Sequence, residues 1–208
     1  MMKNLEYKKI RLWVLILISL VEGGSLMAVE LISIKLIAPY YGNSLYVWSA
    51  VLAITMSGLT IGYYIGGYIS DKYPNLFTLN YILLFSAIFT AFLPFSSEII
   101  LNATNGYEIK TGIIISAFTF IFPPLICFGM IPPIIIRLIA IDLEKVGRAV
   151  GLIYSVSTIG GIIATFSFGF YLIPFKGLIF CSLMLSFFLA IFPFFFFIKV
   201  KGIIAKIV

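Results

Sequence analysis

A chain of 208 residues that is 62% hydrophobic and 11% charged lies far from a soluble domain, in which about half the residues are apolar and a quarter charged. An ordinary soluble enzyme is excluded, and at roughly 20 apolar residues per crossing the length admits at most about seven or eight membrane spans. The net charge of +6 does not indicate nucleic acid, because the Lys and Arg residues sit mostly at the edges of apolar runs, where they orient a membrane protein.

The first apolar run covers 12–38. Lys3, Lys8, Lys9 and Arg11 followed by Leu12 to Val21 have the outline of a secretory signal. Glu22, Gly23 and Gly24 interrupt it, no small-residue cleavage site is clear and apolar sequence continues to Ala38, so a retained span is expected. A PYYGNS turn at Pro39–Ser44 leads to the second run, 46–70, in which Gly58, Gly62 and Gly66 recur at four-residue spacing, followed by Gly67. The DKYPN turn at Asp71–Asn75 precedes the third run, 77–99, and NATNG at Asn102–Gly106 precedes the fourth, 111–137. That fourth run holds Pro123, Pro124, Pro132 and Pro133 around Gly129. Each proline lacks an amide donor and presses on the carbonyl four residues back, so a helix bent or broken at two places is expected. After a polar stretch from Asp142 to Arg148 the fifth run, 149–173, carries Ser157, Gly161, Thr165 and Gly169, with Gly147, Gly151 and Ser155 on an adjoining row; the sixth covers 177–198.

Each run is expected to be a helix, because an open strand in lipid leaves its amides and carbonyls unpaired. The expected fold is an all-α integral membrane protein: a single domain spanning 1–208 that forms a six-helix bundle. Small residues in runs two and five allow close backbone approach between helices, and their recurrence fits two inverted three-helix repeats, a plan common among transporters and equal to half of a major-facilitator-like bundle. Orientation follows from the basic residues. One face would hold the N-terminal group, Lys72, Arg137, Lys145, Arg148, Lys199, Lys201 and Lys206, and the other only Lys35, Lys110 and Lys176. The positive-inside rule then places both termini in the cytoplasm, in a multi-pass protein of the cell membrane.

With no His, and with Cys127 and Cys181 inside apolar stretches, the chain lacks the material of a His-based metal site or a disulfide framework. No catalytic constellation and no phosphate-binding loop is present, and no cofactor is expected. The informative charges are Glu22, near the middle of the first run, and Glu30, two turns on, since an acid near the bilayer centre costs at least about 2.5–3.5 kcal/mol and is by default a functional candidate. Eight residues at 100° leave the pair about 80° apart on the helix, close enough to share a cavity. Lys35 sits about 140° from Glu30, a poor intrahelical partner. A second cluster, Asp71, Lys72, Arg137 and Arg148, with Asp142, Glu144 and Lys145 between the last two, could latch neighbouring helix ends together.

The stretch from Glu30 through Lys72 resembles the membrane region of the spermidine-synthase-like family, fused major-facilitator and spermidine synthase proteins. Glu30 and Lys35 match an acid and a basic residue that end the first helix there. Tyr41, Gly42, Asn43 and Ser44 match the turn that follows, and Gly66, Gly67, Asp71 and Lys72 match a GG-x-x-x-D-basic signature. GMIPPIIIRLI (129–139) and VGRAVGLIYSVSTIGG (146–161) are similar to two later family segments, with Ser157 where the family usually has Asn. In long members this membrane part precedes a cytosolic aminopropyltransferase-like domain. The resemblance therefore implies the membrane module alone, docking or serving a separate aminopropyltransferase-like or methyltransferase-like partner through the loops after Asp71 and Asp142. The alternative is a half-size transporter of a cationic solute such as a polyamine, acting as a homodimer, with a seam along Gly58, Gly62 and Gly66 and with Glu22 and Glu30 in its site.

Overall fold

A computed structural model describes the backbone of residues 2–140 and 146–204, and the side chains of residues 12–140 and 146–196. Asp142, Glu144, Lys145 and Lys206 lie outside the described residues, as do the side chains of Lys3, Lys8, Lys9, Arg11, Lys199 and Lys201. The protein is all-helical among the described residues: α1 (Met2–Tyr41), α2 (Leu45–Lys72), α3 (Leu76–Thr104), α4 (Ile109–Phe120), α5 (Phe122–Ile139), α6 (Val146–Ser167), a π-helical segment (Phe168–Leu172), α7 (Ile173–Lys176) and α8 (Leu178–Ile204). Six segments among the described residues are long and apolar enough to cross a membrane: Leu12–Tyr41, α2, α3, α5, Val146–Lys176 and Leu178–Phe196. The result is a multi-pass membrane bundle.

The connections are shorter than the turn residues suggest. α1 runs through Pro39 to Tyr41 and stops at Gly42, whose φ of 78° is a left-handed cap that suits glycine, with the Gly42 amide returning to the Ala38 carbonyl at 2.8 Å. Asn75 starts α3 by accepting from the Thr78 amide at 2.8 Å and the Thr78 hydroxyl at 2.9 Å, as an N-cap side chain does.

The fourth run breaks once rather than twice. Pro123 and Pro124 begin α5 after an interruption at Ile121, and the chain keeps its course because the Ile121 amide reaches Ala117 at 3.0 Å and the Leu125 amide reaches Ile121 at 3.3 Å. Pro132 and Pro133 lie inside α5, which continues past them to Ile139. A proline removes a single donor, and a turn fixed by packing on both sides tolerates that loss; Ile131, Ile134 and Ile135 are fully buried around the pair.

The most extensive packing joins helices distant in sequence: α1 with α6, α2 with α5, and α3 with α8. In α2–α5 the contacts advance together, Gly58 against Leu125, Gly62 against Ile126 and Gly129, Gly66 against Met130. In α1–α6 they do the same, with Leu20 and Gly24 against Gly160, and Met27 against Gly161. Both pairs are therefore parallel. Exchanging α1 with α4/α5, α2 with α6, and α3 with α8 turns the α1–α6 pair into α5–α2 and leaves α3–α8 unchanged. Consecutive spans point in opposite directions, so this exchange relates two inverted three-helix units.

Helix α3 contains Pro94, which cannot donate to the carbonyl of Thr90. That carbonyl instead accepts the Ser182 hydroxyl of α8, and one turn back the Ala87 carbonyl accepts Ser186 Oγ at 2.8 Å. Ser182→Ala is expected to cost about 1–3 kcal/mol by stranding a buried acceptor, read as a lower midpoint of thermal unfolding. In the background of Pro94→Ala, which restores the helical donor, the same change should cost distinctly less; an equal cost in both backgrounds would refute the substitution of one donor for the other.

Candidate functional site: an acid between α1, α2 and α6

Glu22 lies in α1 about 7 Å from the middle of the Leu12–Tyr41 span, toward the N-terminal end, and Glu30 about 5 Å beyond the middle, at 1.5 Å per residue. Glu22 is 2% exposed. Its neighbour Gly23 admits α6 so closely that a Cβ there would overlap the backbone and hydroxyl of Ser157. Ser157 Oγ, brought in by this crossing, donates to Glu22 Oε2 at 3.0 Å. Across the same junction Tyr63 of α2 and Tyr154 of α6 meet edge to face, ring centroids 6.2 Å apart at 79°. Both tyrosines lie within electrostatic range of the Glu22 carboxyl.

The environment is one of hydroxyl groups, and among the described residues Glu22 forms no ion pair. Lys72 and Arg148, the basic residues of α2 and α6, lie at helix ends far from this depth. A carboxyl so placed can exchange a proton or accept a cation in place of the missing basic group. Among the described residues no three His, Cys, Asp or Glu side chains converge on a point that could hold a metal ion.

The two halves differ at this position. Leu20 faces Gly160 as Ile126 faces Gly62, so the residue two further on is Glu22 in the first unit and Phe128 in the second. Phe128 is fully buried and apolar. Close packing at this crossing does not require an acid, and its presence in one half only is consistent with a chemical role.

Glu30 is also buried, 7% exposed, but is not linked by a hydrogen bond to Glu22, and its Oε1 is a buried atom with no hydrogen-bond partner. Lys35 is exposed and forms no ion pair among the described residues. Of the helix-end cluster, Asp71 and Arg137 come together, Oδ1 to Nε 3.8 Å, with side chains 79% and 50% exposed. At that exposure the pair contributes about 0–1 kcal/mol. Lys72 lies over the Tyr73 ring at 5.5 Å, and Arg148 is exposed without an ion pair among the described residues.

Gly58, Gly62 and Gly66 are buried against α5, so the seam expected for a homodimer is filled within the chain. Gly161 faces Met27 of α1, while Gly67, Gly147 and Gly151 have no atom within 4 Å of the place a Cβ would take. Tyr63, Tyr154 and the π-helical segment escape a reading based on charge and small-residue spacing. A signal for the tyrosines exists in their depth: Tyr63 stands eight residues before Asp71 and Tyr154 eight residues after Val146, close to the depth of Glu22 ten residues into the first span. Comparisons with protein-family models, with curated proteins and with solved structures return no match for this chain.

Proposed function

We propose that this chain is a membrane carrier module that passes a small organic cation, in exchange for or together with protons, with Glu22 as the acid that receives it. The observation that carries this reading is Glu22 itself: a buried carboxyl near the middle of the span, held at a three-helix junction by the Ser157 hydroxyl and flanked by two tyrosines, with no ion pair among the described residues. The inverted pairing of the helices supports it, because carriers of this plan place their sites near the midplane where repeats meet. The resemblance to spermidine-synthase-like membrane regions suggests a polyamine as the solute. The distribution of basic residues favours a cell-membrane protein with both termini in the cytoplasm.

The test is uptake of labelled polyamines into reconstituted vesicles, with and without an imposed proton gradient. Glu22→Gln is expected to lower uptake about tenfold or more, the loss of a charge-assisted contact worth on the order of 1.5–3 kcal/mol, with the protein still folded. Absence of uptake by the unaltered protein, or uptake indifferent to Glu22→Gln, defeats the reading.

A second reading, a module that docks a soluble aminopropyltransferase-like partner, is favoured by one observation. The Asp71–Arg137 pair brings the ends of α2 and α5 together as an exposed charged surface, of the kind a cytosolic domain could meet. Recovery of such a partner with the full chain, lost on Asp71→Arg, would support it.

A further inference from the structure

Glu30 poses a problem that Glu22 does not. Ser157 solvates one oxygen of Glu22, whereas Glu30 Oε1 is buried with no donor at all. An ionised carboxylate without a partner is among the most costly groups a bundle can hold. Among the described residues Glu30 forms no ion pair. Lys35, five residues on, is exposed and unpaired among the described residues. The basic residues of the elements packed against α1 stand at their ends: Lys72 of α2, Lys110 of α4, Arg137 of α5 and Arg148 of α6, while α3 has none and α8 carries Lys199 and Lys201 near its last residue. Of the other acids among the described residues, Asp71, Glu98 and Glu108 are exposed, and Tyr40 and Tyr41 lie three turns further along α1.

The helix beside this part of α1 is itself irregular. Leu31 lies against Gly169 of the π-helical segment, its Cδ1 4.0 Å from the place a Cβ would take there. In that segment the Ile173 amide reaches back five residues to Phe168, and the next residue, Pro174, has no amide to give. π-Helical turns are frequent at functional sites. Glu30 Oε1 thus has a vacant acceptor position that a positively charged group from outside the chain can fill.

We propose that Glu30 is a second cation-binding station, on the far side of the bundle's middle from Glu22, which takes one small monocation: an alkali ion or the terminal ammonium of an amine. Its part in transport rests on the carrier reading, but binding at Glu30 does not, so the two fail separately. On the carrier reading a solute meets two acids in succession, about 12 Å apart along α1, on its way across.

The test uses the full chain in detergent, with unfolding followed by a thiol-reactive dye, since Cys127 and Cys181 are both free and buried. Sodium chloride, potassium chloride and a linear diamine hydrochloride are each compared with choline chloride at equal ionic strength, choline being too bulky for a single carboxyl oxygen in a closed bundle. At saturation at least one small cation should raise the midpoint by roughly 5–10 °C over choline. The alkali and diamine arms tell a free ion from an ammonium group. The shift should vanish in Glu30→Gln, persist in Glu22→Gln, and survive reduced in Glu30→Asp, which keeps the charge on a shorter arm. No shift with any cation, a shift that survives Glu30→Gln, or a dependence on Glu30 seen only as pH changes, which would mean that the carboxyl holds a proton alone, each overturns the proposal.

Discussion

Gly62→Val should yield little or no folded protein. A Cβ at Gly62 would lie 2.8 Å from the Cα of Gly129, and one at Gly66 only 2.6 Å from the Cα of Met130. The obstacle in both cases is backbone, which cannot turn aside as a side chain can, so α2 and α5 would have to separate along a seam that includes fully buried Leu125 and Phe128. The cost is about 3 kcal/mol or more, beyond ordinary overpacking. Gly160→Val should fail in the same way, since its Cβ would meet the Leu20 carbonyl carbon at 2.9 Å, the equivalent crossing of the other half. Gly67→Val is the control: nothing stands within 4 Å of its Cβ, and its unfolding midpoint should be unchanged. Yield of monodisperse protein and thermal midpoint together decide it; equal behaviour of Gly62→Val and Gly67→Val would show that these glycines do not set the helix spacing.

Glu22→Met should stabilise the protein while abolishing uptake. Replacing a buried ionisable group by an apolar one of similar length removes a desolvation cost; exchanging buried ion pairs for apolar residues is often neutral or gains about 1–4 kcal/mol, and a gain of about 1 kcal/mol here would raise the midpoint by about 2–4 °C in a chain of this size. The equivalent position in the second unit is Phe128, which shows that the crossing packs with an apolar side chain. Gains in stability at the expense of function are the usual mark of a group retained for its chemistry. A fall in the midpoint instead would make the Ser157–Glu22 hydrogen bond a structural clamp and weaken the carrier reading.

The positions of the spans were legible because lipid leaves the backbone no alternative to the helix, and apolar length then locates each crossing to within a few residues. The ends were less so. Pro39 and Asn102 look like turn residues, yet both lie in helix. Proline in the final turn removes only the donor to the Lys35 carbonyl, a single bond close to the helix end, and Asn at a helix end is not a stop. The small-residue rows of α2 and α6 were visible as periodicity, but their partners were not. Spacing shows that a helix has a narrow face, and only the three-dimensional arrangement shows that the α2 face meets α5 rather than a second copy. Within the candidate site, Glu22 stood out as a charge in an apolar run. Tyr63 and Tyr154 did not, since tyrosine in a membrane helix has an ordinary place at the interface, and only helix crossing brings these two to the acid. The π-helical turn has no sequence signal beyond Gly169 and Pro174.

The pairing of distant helices has a consequence for how the protein comes to exist. Glu22 and its donor Ser157 are 135 residues apart, and α1 finds its principal neighbour only when the fifth span has been made. Until then a nascent chain holds an acid and a bare glycine face in lipid, with α2 able to cover them only in part. Assembly must therefore be late and collective rather than helix by helix, in the manner of folds dominated by non-local contacts, and the interval before α6 arrives is when the chain is most exposed to quality control.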